Sequence, residues 1–263
     1  MTYSIIGSGN MAWFLAKRLT SAGHQCRGIY GRNEEEAQAL AESINSEFYR
    51  KDFHIEDGEA DVCFLAVADH AIEQVAKNIS FEKTVLVHTS GSVGMSAIAG
   101  SAIDHAVLWP VYSILKNSLP SHRDIPFAWE ASSAKAQKYL LMMAHGITDI
   151  LFEAKDEQRR WLHLSAVVSN NFTTHLLTIC EQICKTHDVP FSTLQPIIEQ
   201  TFERIKRESP YNIQTGPARR GDDSTIAKHI ELLSAEPHWQ QVYSAISASI
   251  ENTYKDDIKK SHD

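Results

Sequence analysis

The residues with the clearest chemical potential lie at the start of the chain. Residues 1–6 read as a short buried strand, Gly7-Ser8-Gly9-Asn10-Met11-Ala12 follows at once, and Trp13, Phe14, Ala16 and Leu19 then recur at helical spacing. Strand, G-x-G-x-x-A and helix in this order make a cradle for a dinucleotide pyrophosphate. Gly7 permits the tight turn, Gly9 lets the backbone approach the phosphates, and Ala12 is small enough for close helix–strand packing. The helix N-terminus points its free N–H groups at the same place. Gly7, Ser8, Gly9, Asn10 and Met11 are therefore the expected cofactor contacts.

The end of the second expected strand, residues 26–30, bears on which dinucleotide. A site preferring NAD carries Asp or Glu there to hold the ribose hydroxyls. This chain has no acid between Gly23 and Asn33, and Arg32 occupies the turn. A guanidinium stacks on adenine and pairs with a 2′-phosphate, which points to NADP. In the other reading Arg32 is a solvated turn residue and Glu34 or Glu35 reaches the ribose, which leaves NAD possible.

Three further groups are candidates. His88 ends an expected strand and Ser90 sits in the following turn, within reach of a nicotinamide ribose or carboxamide; alternatively Ser90 caps the next helix and His88 bonds backbone. His163 and Asn170 lie about 20° apart around a straight helix, with Asn171 displaced by about 80°. Adjacent asparagines in an otherwise apolar segment are unusual, because burying an unpaired amide costs roughly 1–3 kcal/mol. The glycine-framed Gly216-Pro217-Ala218-Arg219-Arg220-Gly221-Asp222 loop offers Arg220 to a substrate carboxylate or phosphate. The same loop also reads as a turn with Asp222 as N-cap, the preferred role for that residue, and His229 reads as structural. The remaining histidines show no ligand spacing, so no metal is expected.

The elements that position these residues fall into two sets. Strands are expected at 1–6, 26–30, 47–49, 61–67, 84–88, 106–109, 126–129 and 148–152, with helices at 34–44, from Asp69 as cap through Ile79, and at 133–145. This alternation predicts an α/β fold, a Rossmann-like mostly parallel sheet covered on both faces. Beyond about residue 154 only helical periodicity appears: 156–185, 192–207, a helix capped by Asp222 or Asp223, and 239–254 after Pro237, with a frayed tail from Lys255. The expected domains are 1–153, dinucleotide-binding, and 154–263, an all-helical domain for substrate and dimerisation.

The chain has 263 residues, 43% hydrophobic and 22% charged, as expected of an ordinary globular protein. A net charge of −8 offers no sequence-wide attraction to nucleic acid or anionic membrane, so neither is an expected partner. Cys26, Cys63, Cys180 and Cys184 lack C-x-x-C spacing and read as free thiols in a reducing compartment. With no signal-peptide pattern and no apolar run near 20 residues, the expected location is the cytoplasm.

Gly7-Ser8-Gly9-Asn10-Met11-Ala12 resembles the opening of pyrroline-5-carboxylate reductases and the deazaflavin-dependent NADP reductases. Phe64-Leu65-Ala66-Val67 resembles their apolar strand whose end faces the nicotinamide, which implies cofactor contacts at Ala66 and Val67. His88-Thr89-Ser90-Gly91, Ile125-Pro126-Phe127 with Glu130-Ala131, and Gly216-Pro217 with Arg220-Gly221-Asp222 resemble bacterial proteins that join a Rossmann-like domain to an all-helical C-terminal domain. Related two-domain dehydrogenases place a proton donor and an asparagine on the long helix, so the resemblance implies catalytic roles for His163, Asn170 and Asn171. It also implies a homodimer built from residues 154–254. Two departures stand out. The wider family often has His-Pro where this chain has Trp109-Pro110, and Thr215-Gly216-Pro217-Ala218 follows the long helix rather than entering it. Proline biosynthesis itself is therefore not the expected activity. The expected function is NADP-dependent reduction or oxidation of a small C=N or C=O substrate; the alternative is a non-catalytic NAD(P)-binding sensor or interaction protein.

Overall fold

The computed structural model describes residues 1–49 and 55–260. Eight strands form one sheet in the order β3-β2-β1-β4-β5-β6-β7-β8. They are β1 (Thr2–Ile6), β2 (Gln25–Tyr30), β3 (Phe48–Tyr49), β4 (Val62–Leu65), β5 (Val85–His88), β6 (His105–Pro110), β7 (Pro126–Ala131) and β8 (Ile150–Glu153). Every neighbouring pair is parallel except β6–β7. The chain moves outward from β1 to β3, then returns to β4 on the other side of β1. That reversal is the switch point at which open α/β sheets bind ligands.

Side-chain parity along the strands builds two cores. Tyr3, Ile5, Val62, Phe64, Val85 and Val87 face one way, packing with α1 (Asn10–Ser21), α2 (Glu34–Glu42) and, after α3 (Ile72–Ala76), with α4 (Ala134–Ala144). Ile6, Cys63, Leu65 and Leu86 face the other way and meet Ile72, Ala76 and Ile98. The continuous apolar runs in β4 and β5 are what a strand buried on both faces requires. Ser133, the first residue of the helix expected at 133–145, is the cap of α4, its side chain accepting from Ala136 N–H at 3.0 Å.

Asp69 does not cap a helix through Ile79. A 3-10 turn (Asp69–Ala71) leads into the short α3, and the Asp69 carboxylate instead accepts from the Ser92 hydroxyl at 2.5 Å. Thr148 lies outside β8: its backbone N–H donates to Ala144 O at 3.1 Å, at the end of α4, and its hydroxyl donates to Ile125 O at 2.5 Å.

The chain divides into two compact units, 1–172 and 173–263. The helical segment expected at 156–185 comprises α5 (Asp156–Ala166), a π-helical turn (Val167–Phe172) and α6 (Thr173–Thr186), and the division between the compact units falls inside it. In the second unit follow α7 (Gln195–Ile205), α8 (Pro210–Ile213), α9 (Pro217–Arg220), α10 (Asp223–Leu232) and α11 (Pro237–Lys260). The tail expected to fray from Lys255 is helical through Lys260; residues 261–263 lie outside the described part. The four cysteines are free. No described helix is long and apolar enough to cross a membrane.

Candidate cofactor and substrate site

The strand register sets a crest at the carboxyl ends of the parallel strands. Ile6 pairs with Leu65, Leu65 with His88, and His88 with Val107. Gly7, Ala66, the turn after His88 and the end of β6 at Trp109 therefore lie in sequence along one line. Three strand spacings separate the first from the last, about 14 Å.

Gly7 is dictated by geometry. Its φ is +128°, its N–H donates to Tyr30 O at 2.8 Å, and a Cβ there would lie 2.2 Å from the Ala66 carbonyl oxygen. Gly9 has an ordinary φ, but the space around its Cβ position is open for 4 Å. It begins α1 without a side-chain cap, and the first turn carries no acid, so neither competes with an incoming anion for the helix donors. Ser8 is half-buried; Asn10 commits its side-chain oxygen to Lys116 N–H at 3.0 Å, and Met11 packs against the core. What these two offer a phosphate is backbone. Ala66 is buried and Val67 packs on the second core, so both shape the wall of the turn.

Arg32 is exposed in the turn that Asn33 closes by capping α2, accepting from Glu36 N–H at 3.3 Å. The first turn of α2 carries Glu34, Glu35 and Glu36. Glu36 is bound through both oxygens to Lys116 Nζ at 2.6 Å.

The turn after β5 is held from within. His88 has no solvent exposure; its Nδ1 accepts from Ser90 N–H at 3.3 Å, and Nε2 has no hydrogen-bond partner. Burial, with Arg159 second, pushes its pKa down to about 4, against the opposing pull of the Gly94 backbone and of Asp156 and Asp69. Ser90 accepts from the N–H groups of Ser92 and Val93, both at 3.1 Å, so it caps a turn rather than a helix. Both side chains are buried; the Ser90 hydroxyl is committed to this turn, while His88 keeps its Nε2 without a hydrogen-bond partner.

Below the turn sits an ion cluster that the sequence reading missed. Arg159 is 1% exposed. Its guanidinium donates to Glu130 at 2.9 Å, to the carbonyls of Ala154 and Val93 at 3.1 and 3.2 Å, and to Asp156. Asp156 in turn accepts from Met95 N–H at 3.0 Å. These bonds, led by those to Met95 and Arg159, outweigh desolvation and lower the Asp156 pKa. The cluster pins the first turn of α5 to the β5 turn and to β7. A buried arginine stripped of these acceptors would cost several kcal/mol, so removing one partner disrupts more than one contact.

One turn further along α5, His163 meets Trp109, with ring centroids 5.6 Å apart at 52°. Trp109 lies flat enough on the preceding turn that a Cβ on Gly91 would come within 2.4 Å of its ring. Beyond them opens a cavity of about 740 Å³, lined by Trp109 to Ser113 on one side and by His163, Ser169, Asn170 and Asn171 on the other. The π-helical turn replaces the straight-helix angles expected for these three residues. It adds backbone at the wall of the cavity, a device frequent at functional sites. The structure thus brings His163, Asn170 and Asn171 together on one cavity.

Arg220 belongs to the second unit and is exposed at the end of α9. Asp222 caps α10 as expected, its carboxylate accepting from Thr225 N–H at 3.1 Å. His229 bonds Tyr243 at 2.8 Å, a structural contact. Among the described residues no cluster of ligand-bearing side chains could hold a metal.

Comparison with known proteins adds the family. The profile of the coenzyme F420-dependent NADP oxidoreductases matches residues 2–91, and that of a domain of unknown function, DUF2520, matches residues 125–250. A candidate NADP oxidoreductase from Bacteroides fragilis is 31% identical, with 95% of this chain and 98% of that one aligned at a TM-score of 0.88. The chain belongs to that family. A Thermotoga maritima protein shares the fold at 21% identity and a TM-score of 0.71, over 97% of this chain and 99% of that one. So does the pyrroline-5-carboxylate reductase of Streptococcus pyogenes, at 15% and 0.63, over 96% and 98%. Among curated proteins none matches the chain.

Membership of this two-domain oxidoreductase family implies a nicotinamide nucleotide, and the residues fit one: Gly7 leaves no room for a side chain against Ala66, Gly9 leaves open space, and α1 begins uncapped. Within that frame, one sequence signal pointed to Arg159. It shares the helical stripe of Leu162, His163 and Ala166, so a charge falls on an apolar face. Nothing in the local pattern marks Lys116, which reaches Asn10 and Glu36 from about 106 and 80 positions away.

Proposed function

We propose that the protein is an NADP-dependent oxidoreductase acting on a small C=N or C=O compound. The observation that carries this reading is the cavity of about 740 Å³ beside Trp109, which has His163, Asn170 and Asn171 on its wall. It adjoins the crest on which Gly7 and Gly9 form a pyrophosphate cradle. Its volume falls within the usual range for small-molecule sites, roughly 300–1,000 Å³.

A bound nicotinamide nucleotide would supply hydride. The protein's part is orientation and proton supply. The Asn170 and Asn171 amides are donors suited to a carbonyl oxygen or imine nitrogen. His163 is placed to give a proton to the reduced group, and general acid catalysis of this kind contributes about 10²–10⁴ in rate. Trp109 provides an apolar floor that excludes water from one side. Arg220 is the cation proposed for an anionic substituent on the substrate. Arg32 supports NADP over NAD. An open, mostly apolar cavity with a few polar groups on its wall favours turnover over a sensor with a plugged cleft.

The second unit supports a homodimer. Among its described residues only Ile179, Cys184, Ala218, Ser247 and Tyr254 are buried, and Ile197, Phe202 and Ile205 of α7 stand 61, 46 and 44% exposed. An apolar helix face of this kind calls for a partner, and a two-fold copy is the commonest one. The free cysteines suit the cytoplasm.

The test is a screen of small cyclic imines, ketones and aldehydes followed by NADPH absorbance. Turnover that Asn170→Ala and His163→Ala both abolish supports the reading. Tight NADPH binding with no turnover across the screen, and no substrate density in the cavity, overturns it in favour of a sensor.

A further inference from the structure

The segment that leaves β6 lines two cavities. Val111, Tyr112 and Ser113 wall the large one beside Trp109. Three residues later, Lys116 and Asn117 line a second cavity of about 320 Å³ together with Trp13, Asn33, Glu35 and Glu36. The segment is pinned throughout. Ile114 and Leu119 pack on the core, Lys116 N–H donates to Asn10 at the first residue of α1, and Arg18 donates to the carbonyls of Pro120 and His122 at 2.7 and 2.5 Å. In this second cavity the Trp13 Nε1 is buried without a hydrogen-bond partner.

The second cavity lies at the start of α2, next to the Arg32-Asn33 turn. There the electrostatics pose a problem for a phosphomonoester. Glu34, Glu35 and Glu36 crowd the first turn of α2, and a single exposed Arg32 is outnumbered. Like charges at such separations oppose binding of a dianion. Lys116 reduces the excess from three acids against one cation to three against two: its Nζ pairs with Glu36 at 2.6 Å, with the pair only about one-third exposed. An ammonium has three donors, and two of them are spent on Glu36.

We propose that Lys116 is a second determinant of cofactor choice, a cation brought by the β6–β7 connection to the 2′-phosphate of the adenosine ribose. The proposal rests on the assignment of the Gly7–Ala12 turn to NADP. It also makes one short segment responsible for contacts at both ends of the site, with Lys116 at the adenosine end and Tyr112 and Ser113 at the substrate cavity.

Calorimetric titration of the full chain with 2′,5′-ADP and with 5′-AMP tests this without any turnover. Lys116→Met should lower the preference for 2′,5′-ADP about tenfold, the usual worth of one charge-assisted bond. Lys116→Arg should keep it. Glu36→Gln removes an acid and frees the ammonium, so it should raise the preference. Affinity for 5′-AMP, which lacks the 2′-phosphate, should stay constant in all three and reports that each variant is folded. An ion pair with a purely structural role predicts no change in the ratio, or the same direction for Lys116→Met and Glu36→Gln, and either result overturns the proposal. If Arg32→Ala erases the preference and Lys116→Met leaves it intact, NADP selectivity stands and the role of Lys116 falls. If the parent shows no preference for 2′,5′-ADP, both fall.

Discussion

In the sheet unit, Tyr3, Ile5, Phe14, Val85 and Phe127 lose all exposure to solvent, whereas the most deeply buried described residues of the helical unit, Ala218 and Tyr254, retain 5%. The sheet unit has an apolar core on each face of the sheet, a third buried cluster of Val107, Trp109, Ala128 and Ala154, and a buried ion cluster at the start of α5. The helical unit has amphipathic helices whose apolar sides stay largely open. A region with its own core can hold side chains within the tolerance that binding and catalysis demand. A region without one takes its order from what covers it. The proposed cofactor cradle and the Trp109 cavity both lie in the sheet unit, and the proposed chemistry rests on that unit.

The largest effect expected from that division is at His163. His163→Ala should lower kcat by about 10²–10⁴ while leaving the NADPH dissociation constant unchanged. A comparable loss of kcat from Arg220→Ala, with no change in KM, would move the chemistry to the helical unit and break the comparison.

The buried cluster sharpens it. The folded-state pKa of His88, about 4, lies below its ordinary value of 6.5. The unfolded chain therefore takes up a proton near pH 6.5 that the folded protein refuses until about pH 4. Stability from this group is complete above pH 6.5 and falls as pH drops through that window, by about 3 kcal/mol in all. Urea unfolding at pH 7.5, 5.5 and 4.5 should show this fall, and His88→Asn should remove it. A flat profile in the parent would contradict the burial described for His88.

The open faces of the helical unit give the third test. Ile197→Glu with Phe202→Glu should convert a dimer to a monomer in light scattering without loss of NADPH binding. A parent that is already monomeric at micromolar concentration would contradict the role given to α7. The smallest effect is at Arg32: the parent should bind NADPH at least about tenfold more tightly than NADH, and Arg32→Ala should cut that difference to the part Lys116 contributes. Tighter binding of NADH by the parent would refute the assignment.

Features carried by local pattern were legible in the sequence, and those carried by distant contacts were not. Gly7 and Gly9 announce themselves because a strand-turn-helix must place them where a Cβ has no room or where a ligand approaches. The runs at 62–65 and 85–88 mark strands buried on both faces, and Asp222 marks a helix start through its own carboxylate. Asp69 misled because its carboxylate serves Ser92, a residue 23 positions on. The π-helical turn escaped because a helical apolar period tolerates one extra residue per turn over so short a stretch. Lys116 and the partners of Arg159 depend on contacts between elements far apart in sequence; the helical stripe marks Arg159 as a charge on an apolar face but not what it binds.

The most direct test of the central claim is a crystal structure of the full chain with NADPH. The account predicts the pyrophosphate against Gly7 to Asn10, and the nicotinamide ring beside Gly91, opening on the cavity between Trp109 and His163. A nicotinamide seated away from that cavity, with Trp109 and His163 facing solvent on the far side of the sheet crest, would contradict it.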